Sequence, residues 1–139
     1  MTEPITHLVD HVFTLAGLFT AAGDDLTAAD GLSASRWLVL GALADGPLSP
    51  AEIARRRGLQ RQSVRESVQR LEASGHVARV AGEDRRTFLV ELTTAGRDAL
   101  ASIEPRRAAW ASATGSLLDP HELDAAVATL GRLRERLAE

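Results

Sequence analysis

Residues 49–93 read SPAEIARRRGLQRQSVRESVQRLEASGHVARVAGEDRRTFLVELT, and this stretch decides the fold. It opens with a serine, then a proline, and then a glutamate three positions after the serine, which is the pattern of a capping box. A helix is therefore expected to begin after Ser49, with Ile53 and Ala54 facing inward. Gly58 has the backbone freedom that is needed to end this helix.

A second helix is expected over about residues 60–74, with Gly75 just past its end. Val64, Val68 and Leu71 recur at helical spacing and should form its buried edge. The outward positions carry polar and basic side chains of the kind that bond base edges and phosphates in a major groove. On a lone helix the same side chains would be read as a solvated face. Together with two arginines of the preceding helix, the candidate DNA contacts are Arg56, Arg57, Arg61, Gln62, Ser63, Arg65, Gln69 and Arg70.

Two short strands with a charged turn between them follow the second helix. Residues 77–80 and 87–92 have the alternation and β-branched content of strands. The turn adds three candidate DNA contacts, Asp84, Arg85 and Arg86, of which Arg86 is expected to enter a minor groove and Asp84 to brace it. The alternative is a solvated turn that uses its glycine for geometry. Helix, turn, helix and hairpin is the order of a winged helix-turn-helix DNA reader.

These residues resemble the MarR (multiple antibiotic resistance regulator) family of bacterial transcription factors. The matching motifs lie at residues 37–40, 48–54, 64–72, 84–86 and 92–93. The resemblance covers residues 32–100 by motif and the remainder by the pattern of helices. It implies a mainly α fold with a small β-hairpin wing, organised as one domain over residues 1–139. Its winged helix-turn-helix would span 32–93, between helical dimerisation parts at 1–28 and 94–139.

Both ends of the chain carry apolar faces at helical spacing. A first helix is expected over about residues 3–22, and a stripe near the other end consists of Leu123, Val127, Leu130, Leu133 and Leu137. These helices could fold back onto their own chain. The resemblance instead implies that they interlock between two subunits, which predicts a homodimeric, ligand-responsive repressor that binds a pseudo-palindromic operator. A connecting helix over about 94–116 contains Pro105, which should either kink it or break it in two.

The second part of the functional hypothesis is a ligand pocket. The resemblance implies a site between the dimer helices and the reader for small, often aromatic, anionic molecules. Ser35 and Trp37 lie at positions that match pocket residues in some family members, and His11 is a candidate from the facing helix. Trp37 could equally be a core residue, as large aromatic residues at helical spacing usually are.

The charge of the chain is unevenly distributed. The net charge is −3 over 139 residues, yet residues 47–93 hold nine arginines against six acidic residues. Contact with phosphates requires local positive charge, whereas an acidic remainder discourages indiscriminate adhesion to nucleic acid. The distribution therefore agrees with double-stranded DNA as the partner.

Other classes of protein are disfavoured by what the sequence lacks. Without cysteine there are no disulfides, thiolate metal sites or thiol redox sensors. The uncharged run at residues 11–23 is shorter than the roughly 18 residues of a membrane span, so a cytoplasmic protein is expected. No catalytic constellation, glycine-rich phosphate loop or zinc motif is present, so neither enzymatic activity nor a cofactor is expected.

A group of three polar residues near the N-terminus is the sharpest signal for a function other than DNA binding. His7, Asp10 and His11 are spaced i, i+3 and i+4, so one helix face could present all three to a metal. Since no fourth ligand is nearby, solvated residues beside the dimer seam are favoured and no metal site is predicted. Two alternatives to an operator-binding repressor remain: a metal-responsive regulator, and a winged-helix protein-interaction module without operator specificity.

Overall fold

The computed structural model describes residues 3–81 and 87–138. Their elements, in chain order, are α1 (Pro4–Thr27), α2 (Ala34–Ala42), α3 (Pro50–Arg57), α4 (Arg61–Ala73), β1 (Val77–Ala81), β2 (Phe88–Leu92), α5 (Thr94–Gly115) and α6 (Pro120–Leu137). A 3₁₀ turn, Ala28–Asp30, directly follows α1. The expected mainly α fold with a β-hairpin wing is confirmed.

Side-chain caps mark the starts of α3 and α6. The Ser49 hydroxyl accepts a hydrogen bond from the amide of Glu52, and the Asp119 carboxylate accepts one from the amide of His121. Each bond satisfies an amide that has no partner inside its own helix. The predicted start of α3 is thus confirmed. Only this half of the expected capping box forms, because the Glu52 carboxylate is bonded to arginines instead.

One hydrophobic core holds together the winged helix-turn-helix of residues 32–93, the reader. It draws on α2, α3, α4, both strands and the first half of α5. Ile53 of α3 and Val64, Val68 and Leu71 of α4 are fully or almost fully buried, as predicted. Burial of an aliphatic side chain of this size is worth about 1.5–3 kcal/mol relative to exposure. Leu59 packs partly buried against the same core, so α3 and α4 are fixed by their apolar edges.

The C-terminal end of α1 belongs to this reader. Asp24 accepts a 2.8 Å hydrogen bond from the amide of Ala34, so α1 caps the start of α2. A Cβ atom at Gly23 would lie 2.8 Å from the Cβ of Ala34, which shows how closely the two helices approach. Thr27 is fully buried and donates its hydroxyl hydrogen to the carbonyl of Gly23. The end of α1 therefore sets the position of α2.

The two strands form an antiparallel hairpin with one core-facing side. Val77 pairs with Leu92, Arg79 with Val90, and Ala81 with Phe88. Val90 also exchanges two backbone hydrogen bonds with Leu48, the residue before the α3 cap. Val90 and Leu92 of the second strand are buried in the core, and the extra bridge ties the hairpin to the segment that starts α3. Sequence patterning did not predict this bridge, because a single extended residue has no period.

Helix α5 runs through Pro105 without a break, so of the two predicted alternatives the division into two helices is wrong. Its first half belongs to the reader, since Ala99 and Ile103 are buried in the core. The chain divides into two compact units between Ile103 and Glu104. The second unit contains the remainder of α5 and all of α6.

Helices α1 and α6 expose most of their apolar side chains. Phe13 is 76% exposed and Val127 is 65% exposed. By length and composition alone, Pro4–Asp30 is long and apolar enough to cross a membrane. The expectation drawn from the uncharged run at 11–23 is therefore wrong on this point, because the helix extends beyond that run in both directions. Length alone does not assign this helix to a membrane, since helices of soluble proteins can meet the same criterion.

Candidate nucleic-acid interface

Helix α4 has one buried edge and a broad polar face. Its buried edge consists of Val64, Ser67, Val68 and Leu71, of which only Ser67 was not predicted. Every α4 residue named as a candidate DNA contact is exposed: Arg61, Gln62, Ser63, Arg65, Gln69 and Arg70. The local fold therefore presents these side chains to solvent on a helix that its core contacts hold rigidly.

Three of these arginines carry charge that the described chain does not neutralise. The guanidinium groups of Arg61, Arg65 and Arg70 make no hydrogen bond or ion pair within residues 3–81 and 87–138. The one acid between them, Glu66, accepts a 3.3 Å hydrogen bond from the side-chain amide of Gln62. The face thus offers unpaired guanidinium groups beside amide groups, which is the chemistry that reads guanine, adenine and phosphate edges.

The arginines of α3 are in a different electrostatic situation. The Glu52 carboxylate accepts hydrogen bonds from Arg55 Nε at 3.0 Å and from Arg56 Nε at 2.9 Å. These hydrogen bonds, first from Arg55 and then from Arg56, lower the pKa of Glu52 from 4.5 to about 2. The glutamate is therefore ionised at every pH at which binding would be measured. Arg56, a candidate DNA contact, shares its charge with this carboxylate.

Arg57, the last residue of α3, turns back toward α2. Its Nε donates a 3.0 Å hydrogen bond to the carbonyl oxygen of Leu38. Gly41 makes room for the guanidinium group, because a Cβ there would lie 2.7 Å from Arg57 Nη2. The side chain of Arg57, a candidate DNA contact, therefore forms a hydrogen bond inside the reader, and this bond links the end of α3 to α2.

A bridge between α4 and the hairpin was not predicted from the sequence. Arg79 Nε on β1 donates to both carboxylate oxygens of Glu72 on α4, at 3.0 and 2.9 Å. The guanidinium carbon of Arg79 also lies 4.0 Å from the centre of the Phe88 ring on β2. Periodicity could place each residue on its element, but it carried no signal that the three side chains would meet.

The wing tip lies outside the part of the chain that can be described. Asp84, Arg85 and Arg86, the three candidate contacts of the turn, fall between the described ranges 3–81 and 87–138. Their assignment to a minor groove therefore stays a prediction. The strands on either side of the tip are placed, so the direction of the wing base is known.

The three candidate ligand residues have different surroundings. Trp37 packs partly buried against the reader core, next to Gly23. Ser35 is exposed and lines an open polar recess with Ser33, Arg36, Ser63, Glu66, Ser67 and Arg70. His11 is exposed on α1, twelve residues before Gly23, which is about 18 Å along a helix. Neither Trp37 nor His11 lines this recess with Ser35.

Metal binding at the N-terminal helix gains no support from the geometry. Across residues 3–81 and 87–138, no group of three histidine, cysteine, aspartate or glutamate side chains could hold a metal ion. His7, Asp10 and His11 all lie exposed on α1.

Comparison with protein families and relatives agrees with this geometry. The model of the MarR family matches residues 30–87. An uncharacterised protein of Mycobacterium tuberculosis, Rv2011c, is 33% identical over 134 residues, which cover 96% of this chain and 94% of that protein. The transcriptional activatory protein BadR of Rhodopseudomonas palustris is 36% identical over 101 residues, covering 68% of this chain and 57% of BadR. The transcriptional repressor YetL of Bacillus subtilis is 29% identical over 142 residues, covering 99% and 77%.

Solved structures show the same fold. The M. tuberculosis transcriptional regulator MosR in complex with DNA has a TM-score of 0.74 and 26% identity, and the match covers 93% of this chain and 96% of that one. BpsR of Bordetella bronchiseptica has a TM-score of 0.76 and 28% identity, with 94% and 98% covered. The BpsR structure concerns the regulation of DNA binding by 6-hydroxynicotinic acid.

Proposed function

The chain belongs to the MarR family of DNA-binding transcription regulators, and from this membership we propose that it is a ligand-responsive repressor that binds a pseudo-palindromic operator as a homodimer. The observation that carries the proposal is the outer face of α4. It combines unpaired arginines with amide side chains on a helix that is fixed by a buried edge. A face of this kind can both grip phosphates and distinguish bases.

Each α4 helix would enter a major groove, with two half-sites about 34–36 Å apart along the duplex. Arg61, Gln62, Arg65 and Gln69 are assigned to base edges and nearby phosphates, and Ser63, Arg70, Arg56 and Arg57 to the backbone. The wing residues Asp84, Arg85 and Arg86 are assigned to the flanking minor grooves. Arg56 would contribute less net charge than an unpaired arginine, because it already pairs with the Glu52 carboxylate, whereas Arg57 keeps its full charge but is held by the Leu38 carbonyl.

The exposed faces of α1 and α6 support the homodimer. Large apolar side chains stand in solvent on both helices, led by Phe13 and Leu18 on α1 and Val127 and Leu137 on α6. Contiguous exposed apolar patches on a soluble protein mark interaction surfaces. A second copy of the chain would cover these faces by two-fold symmetry, which also supplies the second α4 helix for a palindromic site.

The same faces bear on localisation, and we assign the protein to the cytoplasm. The end of α1 caps α2 through Asp24 and buries Thr27, so that end is committed to the reader. The rest of α1 carries His7, Asp10 and His11, and ionisable groups are costly in a hydrocarbon layer. A dimer interface explains the apolar face of α1 without that cost.

Ligand response is the part of the proposal that rests most on family membership. BpsR is regulated by 6-hydroxynicotinic acid, a small aromatic anion. A ligand of this class is proposed here, with Ser35, Trp37 and His11 as candidate contacts. Because His11 lies far from the other two along one chain, a site that used all three would have to include the partner subunit's α1. A ligand weakens DNA binding only by its differential affinity for the conformation that does not fit the operator.

Hydroxyl-radical footprinting on the region upstream of the gene tests the operator proposal. Two protected segments one helical turn apart are expected, with weaker protection in the flanking minor grooves. A reporter driven by the same region should rise when the gene is deleted if the protein represses. A continuous, sequence-independent footprint would contradict operator binding and leave the protein-interaction module as the function of the winged helix. Reporter activity that falls on deletion would contradict repression alone.

A further inference from the structure

We infer that Arg79 is a positioning residue for DNA binding: with Glu72 and Phe88 it holds the β1–β2 hairpin at a fixed angle to α4. These three residues are called the wing clamp below. The inference rests on the proposed function, because it concerns how the wing and α4 engage one duplex together. Arg79 is not assigned a contact with DNA.

The register of the hairpin places Arg79 on the face that is otherwise apolar. Directly opposed residues of an antiparallel pair share a face, and Arg79 is opposite Val90, which is fully buried. The buried residues Val77 and Leu92 lie on the same face. Phe88 is the diagonal neighbour of Arg79, within reach of a long side chain. The guanidinium carbon of Arg79 therefore lies over the Phe88 ring at the exposed edge of this apolar face, between the hairpin and α4.

The presence of an acidic residue at position 72 is explained by its pairing with Arg79 and not by the preferences of its own helix. It lies in the last turn of α4, where the helix dipole disfavours a negative charge. Its side chain is 28% exposed and that of Arg79 is 48% exposed, so the pair is partly shielded from solvent. Both carboxylate oxygens of Glu72 accept a hydrogen bond from Nε of Arg79. A residue that opposes a local preference of its element indicates a role outside that element.

The wing clamp lies where a change in the angle between the hairpin and α4 would displace the wing relative to the duplex. The hairpin is anchored at its base by the Val77–Leu92 pair and by the Leu48 bridge to Val90. Arg79 is the central residue of β1, at the level of Val90, and its ring partner Phe88 lies two residues nearer the wing tip. Binding groups have to be held within about 0.5 Å of their productive positions. A hairpin held only at its base would spread the tip over a wider range and weaken its simultaneous contact with the duplex.

If Arg79 instead contacted a phosphate directly, the Glu72→Gln variant would change the affinity for the duplex in the opposite direction. If Glu72 merely competes with DNA for Arg79, Glu72→Gln removes a negative charge and tightens binding. If Glu72 and Arg79 hold the wing, the same change weakens binding. Glu52→Gln is the matched control, because Glu52 also binds arginines in the reader but both of these partners lie on its own helix, α3.

The experiment compares four variants of the full chain with the wild type: Glu72→Gln, Arg79→Met, the double variant, and Arg79→Lys. Duplex affinity is measured by fluorescence anisotropy at several salt concentrations on the footprinted operator. Hydrogen exchange of the β1 and β2 amides is measured without DNA. Lysine keeps a point charge that could still grip a phosphate, but it cannot reproduce the planar guanidinium contacts.

The wing clamp predicts that Glu72→Gln and Arg79→Met each weaken operator binding roughly tenfold and that the double variant is no worse than either. Arg79→Lys should not restore binding, amide exchange should be faster in β1 and β2, and Glu52→Gln should not weaken binding. Tighter binding by Glu72→Gln, or rescue by Arg79→Lys, would overturn the inference. Faster exchange with wild-type affinity would also overturn it, because the cluster would then only stabilise the fold.

Failure of the proposed operator binding can be distinguished from failure of the wing clamp. If the wild type shows no preference for the operator over a shuffled duplex, the operator proposal fails, and the exchange measurement still decides whether the clamp exists. Unchanged exchange in both Glu72→Gln and Arg79→Met would then overturn the clamp itself. Faster exchange in both would retain the clamp as a contact that stabilises the hairpin against α4, without a role in operator binding.

Discussion

At the scale of single residues, the arginines of this chain fall into two groups. Arg61, Arg65 and Arg70 stand on α4 without a partner in the described ranges, whereas Arg56 and Arg79 are bonded to carboxylates. A paired guanidinium group offers less net attraction to phosphate than an unpaired one. The proposed DNA-contacting surface is therefore narrower than the number of arginines indicates, and the unpaired arginines that would contribute most to it lie on α4.

Arg65→Ala should lower operator affinity by about 1–3 kcal/mol and relax the choice of sequence, because a base-contacting arginine discriminates as well as binds. Anisotropy titrations of the operator and of single-base variants would measure both effects. Arg107→Ala is the control, since this arginine pairs with Glu104 in the other compact unit and should leave affinity unchanged. Equal loss of affinity on every duplex would contradict a base-reading role for Arg65.

Glu52→Gln should strengthen sequence-independent binding and steepen its salt dependence, because Arg55 and Arg56 lose their shared carboxylate. Each phosphate newly neutralised adds about 0.9 to the slope of log affinity against log salt. Since the pKa of Glu52 is lowered to about 2, the ion pairs are complete above pH 4.5 and are lost only as the pH falls toward 2. Titrations at pH 6 and pH 8 should therefore show no pH effect from this group. An unchanged salt slope in the variant would argue against any contact between α3 and DNA.

At the scale of elements, the start of α5 is locked to the turn between α4 and β1. The Thr93 hydroxyl donates to the carbonyl of Gly75 at 2.6 Å and accepts from the amide of Gly96 at 3.2 Å. A Cβ at Gly96 would lie 2.2 Å from the carbonyl oxygen of His76. Movement of α5 is thereby coupled to the turn that ends α4.

Gly96→Ala should destabilise the fold by at least about 1–3 kcal/mol, the usual cost of overpacking. This sign is opposite to that expected at an open helical position, where alanine is favoured by about 1 kcal/mol. Gly41→Ala is the matched control, because the atom it would meet is the movable end of the Arg57 side chain. Thermal melts of both variants compare the two sites. A melting temperature for Gly96→Ala equal to that of the wild type would contradict the close approach of α5 to this turn.

Features set by neighbours in sequence could be predicted, and features set by distant contacts could not. The Ser49 cap, the Gly58 and Gly75 helix ends and the buried edge of α4 follow from spacing, because each depends on a few consecutive residues. The partner of Glu52 was missed, because a capping pattern does not reveal a competing arginine one turn later. The wing clamp, the Leu48 bridge and the approach of Gly96 to His76 join residues that only the folded chain brings together.

At the scale of the whole molecule, the exposed apolar faces of α1 and α6 are proposed to be covered by a second copy of the chain. Leu130→Glu on α6 should shift the dimer toward monomer, because a buried charge without a partner is strongly unfavourable. Ala128→Glu introduces the same side chain on the opposite side of the helix and should leave the dimer intact. Light scattering after size-exclusion chromatography gives the mass of each variant. A dimeric mass for Leu130→Glu would place the interface elsewhere.

The most direct test of the central claim is the anisotropy of a duplex from the region upstream of the gene, titrated against a shuffled duplex at several salt concentrations. Operator reading by α4 predicts much tighter binding to the native duplex, a steep loss of affinity with salt on both, and loss of the preference in Arg65→Ala. Equal affinity for the native and shuffled duplexes at every salt concentration would contradict the claim that this surface reads DNA sequence in that region.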